Sequence, residues 1–266
     1  MNMRLDVHLV EAGLARSRGQ ARDLVASGAV TVDGRVARRP AAPVTADSVV
    51  EVASDDARRW VGRAALKLVG ALEAFPEFAA TIPGARCVDV GASTGGFTQV
   101  LLENGASHVV AIDVGHHQLA APVRDDPRVE DRSGLNVREV TTDDVAPCDV
   151  LVADLSFISL TLVADVLRAL LTGRGQAVLL VKPQFEVGRH RLGKAGVVRS
   201  ASDRREALVH VVETLRAAGL APSGLAPSPT PGTTGNREYL LWIGGRTTLD
   251  PREVLTRADV LIDEEV

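Results

Sequence analysis

The stretch from Cys87 to Asp113 constrains the fold more than any other part of the chain. An apolar run, Cys87-Val88-Asp89-Val90, ends in Gly91-Ala92-Ser93-Thr94-Gly95-Gly96-Phe97, and Val109-Val110-Ala111-Ile112-Asp113 follows a helical interval. A parallel strand covered by helices on both faces carries a nearly continuous apolar run. Glycines at its carboxyl end let the backbone turn into a helix and come close to a ligand. Asp113 follows Gly91 by about the twenty residues at which a carboxylate on the second strand meets ribose hydroxyls in nucleotide-binding folds. The pattern predicts a strand, turn, helix and strand that hold an adenosine moiety.

A dinucleotide site would carry Gly-x-Gly-x-x-Gly against a pyrophosphate, but Ser93 stands where the second glycine should be. Ser93, Thr94, Gly95 and Gly96 instead suit S-adenosylmethionine, which lacks a pyrophosphate and needs room for a methionine tail. The expected cofactor-binding residues are Asp89, Gly91, Ala92, Ser93, Thr94, Gly95, Gly96 and Phe97 in the loop, with Asp113 and Asp154 at neighbouring strand ends.

Strand-like and helical runs alternate beyond Ala85. The strands are Arg86–Val90, Val109–Asp113, Val150–Asp154, Ala177–Val181 and Leu240–Ile243, and the intervals include helical patterns over Ile158–Leu171 and Arg204–Ala218. This alternation predicts a Rossmann-like α/β domain whose parallel sheet has helices on both faces. Gly232-Thr233-Thr234-Gly235-Asn236 reads as a turn into the last strand, and Pro222 to Pro231 as a proline-rich connection.

The chain has 266 residues, 45% of them hydrophobic and 24% charged, with a formal net charge of −4. That composition fits a globular protein and argues against a uniformly basic nucleic-acid coat, leaving a local basic face as the alternative. Cys87 and Cys148 both lie in apolar strand-like runs, so buried thiols in a reducing cytosol are expected, with no disulfide framework and no metal site. Met1 to Val10 contains Arg4, Asp6 and His8 and has no signal-peptide core, and no later apolar run has the length of a membrane span. These features predict a cytoplasmic protein, either a monomer or a weak homodimer.

Residues 1–53 read as a separate small α+β unit, 54–61 as a polar linker and 62–266 as the larger domain. Leu5, Leu9 and Val10 recur at helical spacing, and Ser17 followed by Gln20 gives a capping-box arrangement for a second helix that Gly28 stops. Val30-Thr31-Val32 enters an Asp33-Gly34 hairpin turn, and Val49-Val50-Glu51-Val52 supplies a later strand. The runs Arg4-Leu5-Asp6, Gly13-Leu14-Ala15-Arg16-Ser17-Arg18 and Gly28 to Gly34 resemble the small RNA-binding fold shared by a ribosomal small-subunit protein, pseudouridine synthases and tyrosyl-tRNA synthetases. The resemblance implies phosphate contacts from Arg16, Arg18, Arg22, Arg35, Arg38 and Arg39; Arg4 at the start of the unit and Arg63 just beyond the linker are further expected RNA contacts. Arginine suits bidentate phosphate recognition, although a solvated face balanced by Glu11, Asp23 and Asp33 is the structural alternative.

In open α/β sheets ligands lie beyond the carboxyl ends of the strands. Asp154 ends one strand, Lys182 ends Val178-Leu179-Leu180-Val181-Lys182, Glu238 opens the last strand, and Lys67 lies on the helix before the first. Two lysines and two carboxylates gathered there would pair, because an unpartnered charge at a buried strand tip is costly. Pairing alone is one explanation. The functional one is methyl transfer to a ribose hydroxyl, with Lys182 as base, Asp154 positioning it, and Lys67 and Glu238 holding the hydroxyl and the network.

Arg63-Ala64-Ala65-Leu66-Lys67-Leu68, Asp89 to Phe97, Ala153-Asp154-Leu155-Ser156-Phe157-Ile158-Ser159-Leu160, Val181-Lys182-Pro183-Gln184-Phe185-Glu186-Val187-Gly188 and Gly235-Asn236-Arg237-Glu238-Tyr239 resemble the TlyA family over nearly the whole chain. That family consists of rRNA cytidine 2′-O-methyltransferases, historically also called hemolysins, related to FtsJ-type enzymes with a Lys-Asp-Lys-Glu tetrad. The resemblance implies that the tetrad is Lys67, Asp154, Lys182 and Glu238. It also implies that the substrate is a cytidine of 23S rRNA, and in one subgroup of 16S rRNA as well, within ribosomal subunits. The chain departs from the pattern at Glu130-Asp131-Arg132-Ser133-Gly134-Leu135, which leaves the adenine contact unassigned. An amino-methyltransferase would show a Pro-Pro-Tyr-like run, which Asp154-Leu155-Ser156-Phe157 lacks. The remaining alternatives are a non-catalytic RNA-binding protein and a membrane-active hemolysin, and the second would need an apolar span or basic amphipathic helix that the sequence does not show.

Overall fold

The structure is a computed structural model that describes residues 3–26, 28–53, 59–193 and 196–263. Its contacts divide the chain into two compact units, Met1–Ala65 and Leu66–Val266. Of the expected linker, residues 54–58 lie outside the described residues. Trp60 and Val61 are buried, and the Gln20 amide donates to the Trp60 carbonyl at 2.9 Å, so this end of the segment packs into the first unit.

The first unit contains two helices, Leu5–Glu11 and Arg18–Ala26. It also has a two-stranded pairing of β1 (Met3–Arg4) with β4 (Pro43–Val44), and a three-stranded sheet of β2 (Val30–Val32), β3 (Arg35–Val36) and β5 (Val50–Val52) in the order β3-β2-β5. Leu5, Leu9, Ala21, Leu24, Val25 and Val30 form its core. Ser17 Oγ accepts the Gln20 N–H as a capping box requires, but the Gln20 side-chain oxygen Oε1 accepts the Arg16 N–H at 2.8 Å and so closes the box one residue upstream of Ser17. Asp33 and Gly34 have φ of 50° and 74°, the double left-handed geometry of a type I′ hairpin.

The second unit is built on a seven-stranded sheet in the order β11-β12-β10-β9-β6-β7-β8. Its strands are β6 (Arg86–Val90), β7 (His108–Asp113), β8 (Val129–Ser133), β9 (Cys148–Ala153), β10 (Leu171–Val181), β11 (Pro222–Pro227) and β12 (Tyr239–Ile243). β6 to β10 pair in parallel, while β12 runs antiparallel between β10 and β11. The strand order reverses between β6 and β9, a switch point that opens a crevice at the carboxyl edge. Val88, Val90, Leu151, Leu179 and Val181 fill the sheet's interior together with Leu208, Val211 and Leu215 of the helix Ala201–Ala217.

Three expectations need correction. The proline-rich connection begins as edge strand β11, where Pro222 and Pro227 are tolerated because an edge strand does not need every N–H. The charged stretch after Val129 forms the opposite edge strand, β8, with exposed Asp131 and Arg132. The helix expected over Ile158–Leu171 is confined to Ala164–Ala169 after a 3-10 turn at Leu160–Leu162, and β10 starts at Leu171, with a register irregularity between Leu171 and Gln176.

Candidate active site

Strand register brings the site together. Val90 pairs with Ile112 on one side and Ala153 on the other, so the chain leaves β6, β7 and β9 at one level as Gly91, Asp113 and Asp154. Val181 pairs antiparallel with Tyr239, which sets Lys182 beside Glu238. Gly91 has φ +87°, and a Cβ there would stand 2.7 Å from the Asp154 carbonyl oxygen, so only glycine fits where these strand ends converge.

Lys67 arrives from the helix Ala65–Ala74. It lies three residues before Gly70, whose missing side chain lets the helix press against Pro229; a Cβ there would come within 2.6 Å of that ring. The Lys67 ammonium donates to Glu238 Oε2 at 2.6 Å and lies 3.8 Å from Asp154 Oδ2. Lys182 Nζ lies 2.6 Å from Asp154 Oδ1 and donates to Ser156 Oγ at 2.9 Å. Gln184 Nε2 closes the far end by donating to Glu238 Oε1 at 3.2 Å. The result is a buried chain of alternating charge, Lys182, Asp154, Lys67 and Glu238. Each ion has a counterion, as burial demands.

Two clefts flank this chain. One, of about 450 Å³, is lined by Gly91, Ser93, Asp113, Gln118, Asn136 and Asp154 with apolar walls from Ile112, Leu135, Val137, Leu155 and Ile158. The other, of about 600 Å³, is lined by Lys67, Lys182, Gln184, Phe185, Arg189, Thr234 and Glu238 among others. Ser156 and Phe157 border both. The Phe157 ring is 91% exposed and lies 5.2 Å from that of Phe185.

Of the residues expected around the cofactor, Gly91, Ser93, Asp113 and Asp154 line the smaller cleft, and Asp89, Ala92, Thr94, Gly95, Gly96 and Phe97 do not. Ala92, Gly95, Gly96 and Phe97 are packed inside the turn and helix start, and Thr94 faces solvent. The Asp113 carboxylate accepts the Ser93 N–H at 2.8 Å and the Gly115 N–H at 2.7 Å, which fixes its orientation at the cleft wall. Ser156, Phe157, Gln184 and Phe185 stood in the sequence runs without a role. Leu135 closes the stretch that leaves the adenine contact open and Asn136 and Val137 follow it, and the Gly134 turn after β8 is the signal that marks them.

Asp89 lies under the cleft floor, fully buried, with the Thr98 hydroxyl donating to it at 2.6 Å and Oδ1 unpartnered among the described residues. Burial pushes its carboxyl up to about 7, and the charges of Asp154 and Asp113 add to the effect. Between about pH 4 and 7 the unfolded carboxyl ionises while the folded one keeps its proton, so stability falls as pH rises through that window and levels off above it. Asp89→Asn keeps the Thr98 bond without the titration. Urea midpoints at pH 5 and pH 8 are expected to favour the variant at the higher pH by on the order of 2 kcal/mol relative to the lower. An identical difference at both pH values would count against the buried-acid account.

In the first unit, Arg4 forks onto Asp6 at 2.9 and 3.0 Å and Arg18 reaches the same carboxylate at 3.1 Å. The Asp6 side chain is inaccessible, and the hydrogen bond from Arg4 holds its carboxyl well below the usual range, against the effect of burial. Arg16 donates to the Arg59 carbonyl at 2.9 Å, Arg22 to the Arg18 carbonyl at 3.1 Å, and Arg63 stands in the field of Asp23. Arg35, Arg38 and Arg39 are exposed on and after β3. Arg4, Arg16, Arg18 and Arg22 are exposed as well, so the arginines differ in that these four also hold groups within the unit.

Comparison with known proteins agrees with this architecture. A family model described as FtsJ-like methyltransferase matches residues 60–245, and one described as S4 domain matches residues 3–50. The chain is 46% identical over 245 residues to the 16S/23S rRNA (cytidine-2′-O)-methyltransferase TlyA of Mycobacterium tuberculosis, covering 92% of this chain and 90% of that one. It is 36% identical to Hemolysin A of Brachyspira hyodysenteriae, covering 90% and 98% of the two chains. A solved structure of a hemolysin-named protein from Streptococcus thermophilus superimposes with a TM-score of 0.74 at 33% identity, over 99% of this chain and 98% of the other.

Proposed function

The chain belongs to the TlyA family of FtsJ-like methyltransferases, and from that premise we propose that it methylates the ribose 2′-hydroxyl of a cytidine in ribosomal RNA, using S-adenosylmethionine. The observation that carries the reading is the paired chain Lys182, Asp154, Lys67 and Glu238 standing between an adenosine-sized cleft and a second open cleft. Residues 1–53 would supply RNA affinity and 62–266 the catalytic domain. A ribosomal substrate would be met in the cytoplasm, which supports that location for the protein. Among the described residues no helix is long and apolar enough to cross a membrane.

The smaller cleft fits the cofactor. Its volume and apolar walls suit an adenine ring, and the Asp113 carboxylate, already oriented by two backbone N–H groups, would take the ribose hydroxyls. When bound, S-adenosylmethionine supplies an activated methyl group that needs no further polarisation. The protein's own task is to deprotonate and align an alcohol. Lys182, acting as the neutral amine after giving its own proton to solvent, would accept the hydroxyl proton; Asp154 fixes the Lys182 side chain between the clefts, and Lys67 with Glu238 would orient the hydroxyl from the other side. Phe157 offers an aromatic face where an unstacked base could lie.

Purified protein incubated with methyl-labelled cofactor and isolated ribosomal subunits is expected to place label on a cytidine ribose, read as resistance of the adjoining phosphodiester bond to alkaline hydrolysis. Label on a base, or none on either subunit, would overturn the reading.

The arginines at the hairpin are proposed to contact phosphates. Converting Arg35, Arg38 and Arg39 to glutamine should weaken rRNA binding and reduce the slope of log affinity against log salt by about 2 to 3, since each phosphate contact releases roughly one counterion. A slope unchanged between wild type and variant would assign these side chains to a solvated face.

A further inference from the structure

We propose that Glu186 is a positioning residue that holds the Phe157 ring at the border of the two clefts by anchoring the segment Ser156–Leu160; the idea rests on the methyl-transfer reading of this site. Phe157 has φ +66°, in the left-handed region that side chains other than glycine rarely occupy, and its ring is 91% exposed. Neither backbone preference nor burial keeps it there. A strained residue persists only where its surroundings over-determine it, so the restraint must come from its neighbours along the loop.

Three contacts provide it. On the upstream side Ser156 Oγ accepts from Lys182 at 2.9 Å, and at the ring itself Phe185 lies 5.2 Å away. On the downstream side Glu186 Oε1 accepts the Leu160 N–H at 3.0 Å, while Oε2 accepts the Ser159 hydroxyl. Ser159 in turn caps the 3-10 turn Leu160–Leu162 by accepting the Thr161 N–H, so the Glu186 bonds fix a start point from which the chain continues into rigid structure. Glu186 ends the short helix Pro183–Glu186 that directly follows Lys182. One segment of four residues therefore carries the ring partner and the anchor next to the proposed base. Glu186 itself lines neither cleft. Burial raises its carboxyl, with the bonds from Ser159 and Leu160 opposing that shift, as for an acid recruited for structure within a mostly enclosed loop.

The test is a double-mutant cycle on the full chain. Glu186→Ala and Phe157→Ala should each lower kcat/KM for ribosomal subunits about tenfold and change cofactor affinity by the same factor as each other, and the double variant should be no worse than the poorer single one. Glu186→Gln keeps an acceptor for the Leu160 N–H and should recover most of the loss. Amide hydrogen exchange without substrate should quicken over residues 156–160 in Glu186→Ala and stay unchanged in Phe157→Ala. If Glu186→Ala does not fold, Ser159→Ala removes part of the same anchor from the loop side and is read identically. Losses that multiply in the double variant, or exchange over 156–160 that matches wild type, would overturn the proposal. A wild-type protein that leaves rRNA unmethylated would refute the functional reading instead, and the exchange measurement would still decide whether Glu186 holds the loop.

Discussion

Lys182→Arg is expected to abolish methyl transfer as completely as Lys182→Ala does, lowering the single-turnover rate by about 10²- to 10⁴-fold, the usual contribution of a positioned general base. Arginine keeps the positive charge and can still meet the Asp154 carboxylate, but it does not release its proton at accessible pH. A lysine that serves only as an electrostatic clamp would tolerate that exchange, and one that must take the hydroxyl proton would not. The structure makes the experiment interpretable. With Lys182→Ala, Asp154 keeps only Lys67 at 3.8 Å and shares it with Glu238 at 2.6 Å, so that variant should lose stability, whereas Lys182→Arg keeps a cation beside Asp154; cofactor titration of both variants confirms a folded site before rates are compared. The proton moves only on the way to the transition state, so rRNA binding should also survive. Substantial methylation by Lys182→Arg on correctly bound subunits would leave Lys182 a positioning role alone.

The four charged residues were legible because each occupies a position where sequence pattern and sheet topology agree. Asp154 and Lys182 end apolar runs, β9 and β10, that can only be buried strands, and a charge at such an end must face the crevice or be paired. Here both hold. Glu238 was legible through the turn before β12, since an antiparallel strand entering beside β10 puts its first residues at the same edge. Lys67 was the weakest of the four from its helix alone, where it falls off the stripe of Ala65, Leu68 and Leu72. It is nevertheless 5% exposed, on a helix that sits against Pro229 at Gly70, with its ammonium held by Glu238 at 2.6 Å. No local pattern encodes a contact between residues so far apart in sequence.

What the sequence concealed follows from the same physics. β8 carries Glu130, Asp131 and Arg132 and β11 is bounded by prolines, and both escape a search for apolar alternation because edge strands have a free side on which charges and missing N–H groups cost little. The glycine-rich run was read as a ligand-contacting loop throughout, yet only Gly91 and Ser93 of it face the cleft, while Gly95 and Gly96 serve the tight start of the helix Gly96–Glu103. The place of Asp89 in the motif suggests a cofactor contact, while the structure buries its side chain completely and outside the cleft lining. In the first unit, the arginines were counted as one basic face. Asp6 engages Arg4 and Arg18, an arrangement invisible in sequence because an acid at the second position of a helix reads equally well as a partner of the helix dipole.

Asp113→Ala is expected to weaken cofactor binding by about 10- to 100-fold, since hydrogen bonds to a charged group are each worth roughly 1.5–3 kcal/mol and the carboxylate is proposed to meet the ribose hydroxyls. The structure adds a second consequence. The same carboxylate accepts from the N–H groups of Ser93 and Gly115, so the alanine variant also removes a restraint on the turn at Ser93, where φ is 48° and the hydroxyl bond to Gln118 at 3.3 Å remains. Asp113→Asn is the intermediate case, because the Ser93 and Gly115 N–H groups bond to different oxygens of the carboxylate and the amide can accept only one of them. It retains one carbonyl acceptor for the backbone but loses the charge and one of the two acceptor oxygens, so it should bind with an intermediate affinity, while the alanine variant loses both. Calorimetric titration with S-adenosylmethionine and with its demethylated product reads both variants directly, without rRNA or turnover. Both ligands share the ribose, so both should weaken in parallel. Retention of wild-type affinity by Asp113→Ala would place the adenosine moiety elsewhere than the cleft between β6 and β7, and weakening of only one of the two ligands would show that Asp113 acts on the sulfonium end and not on the ribose.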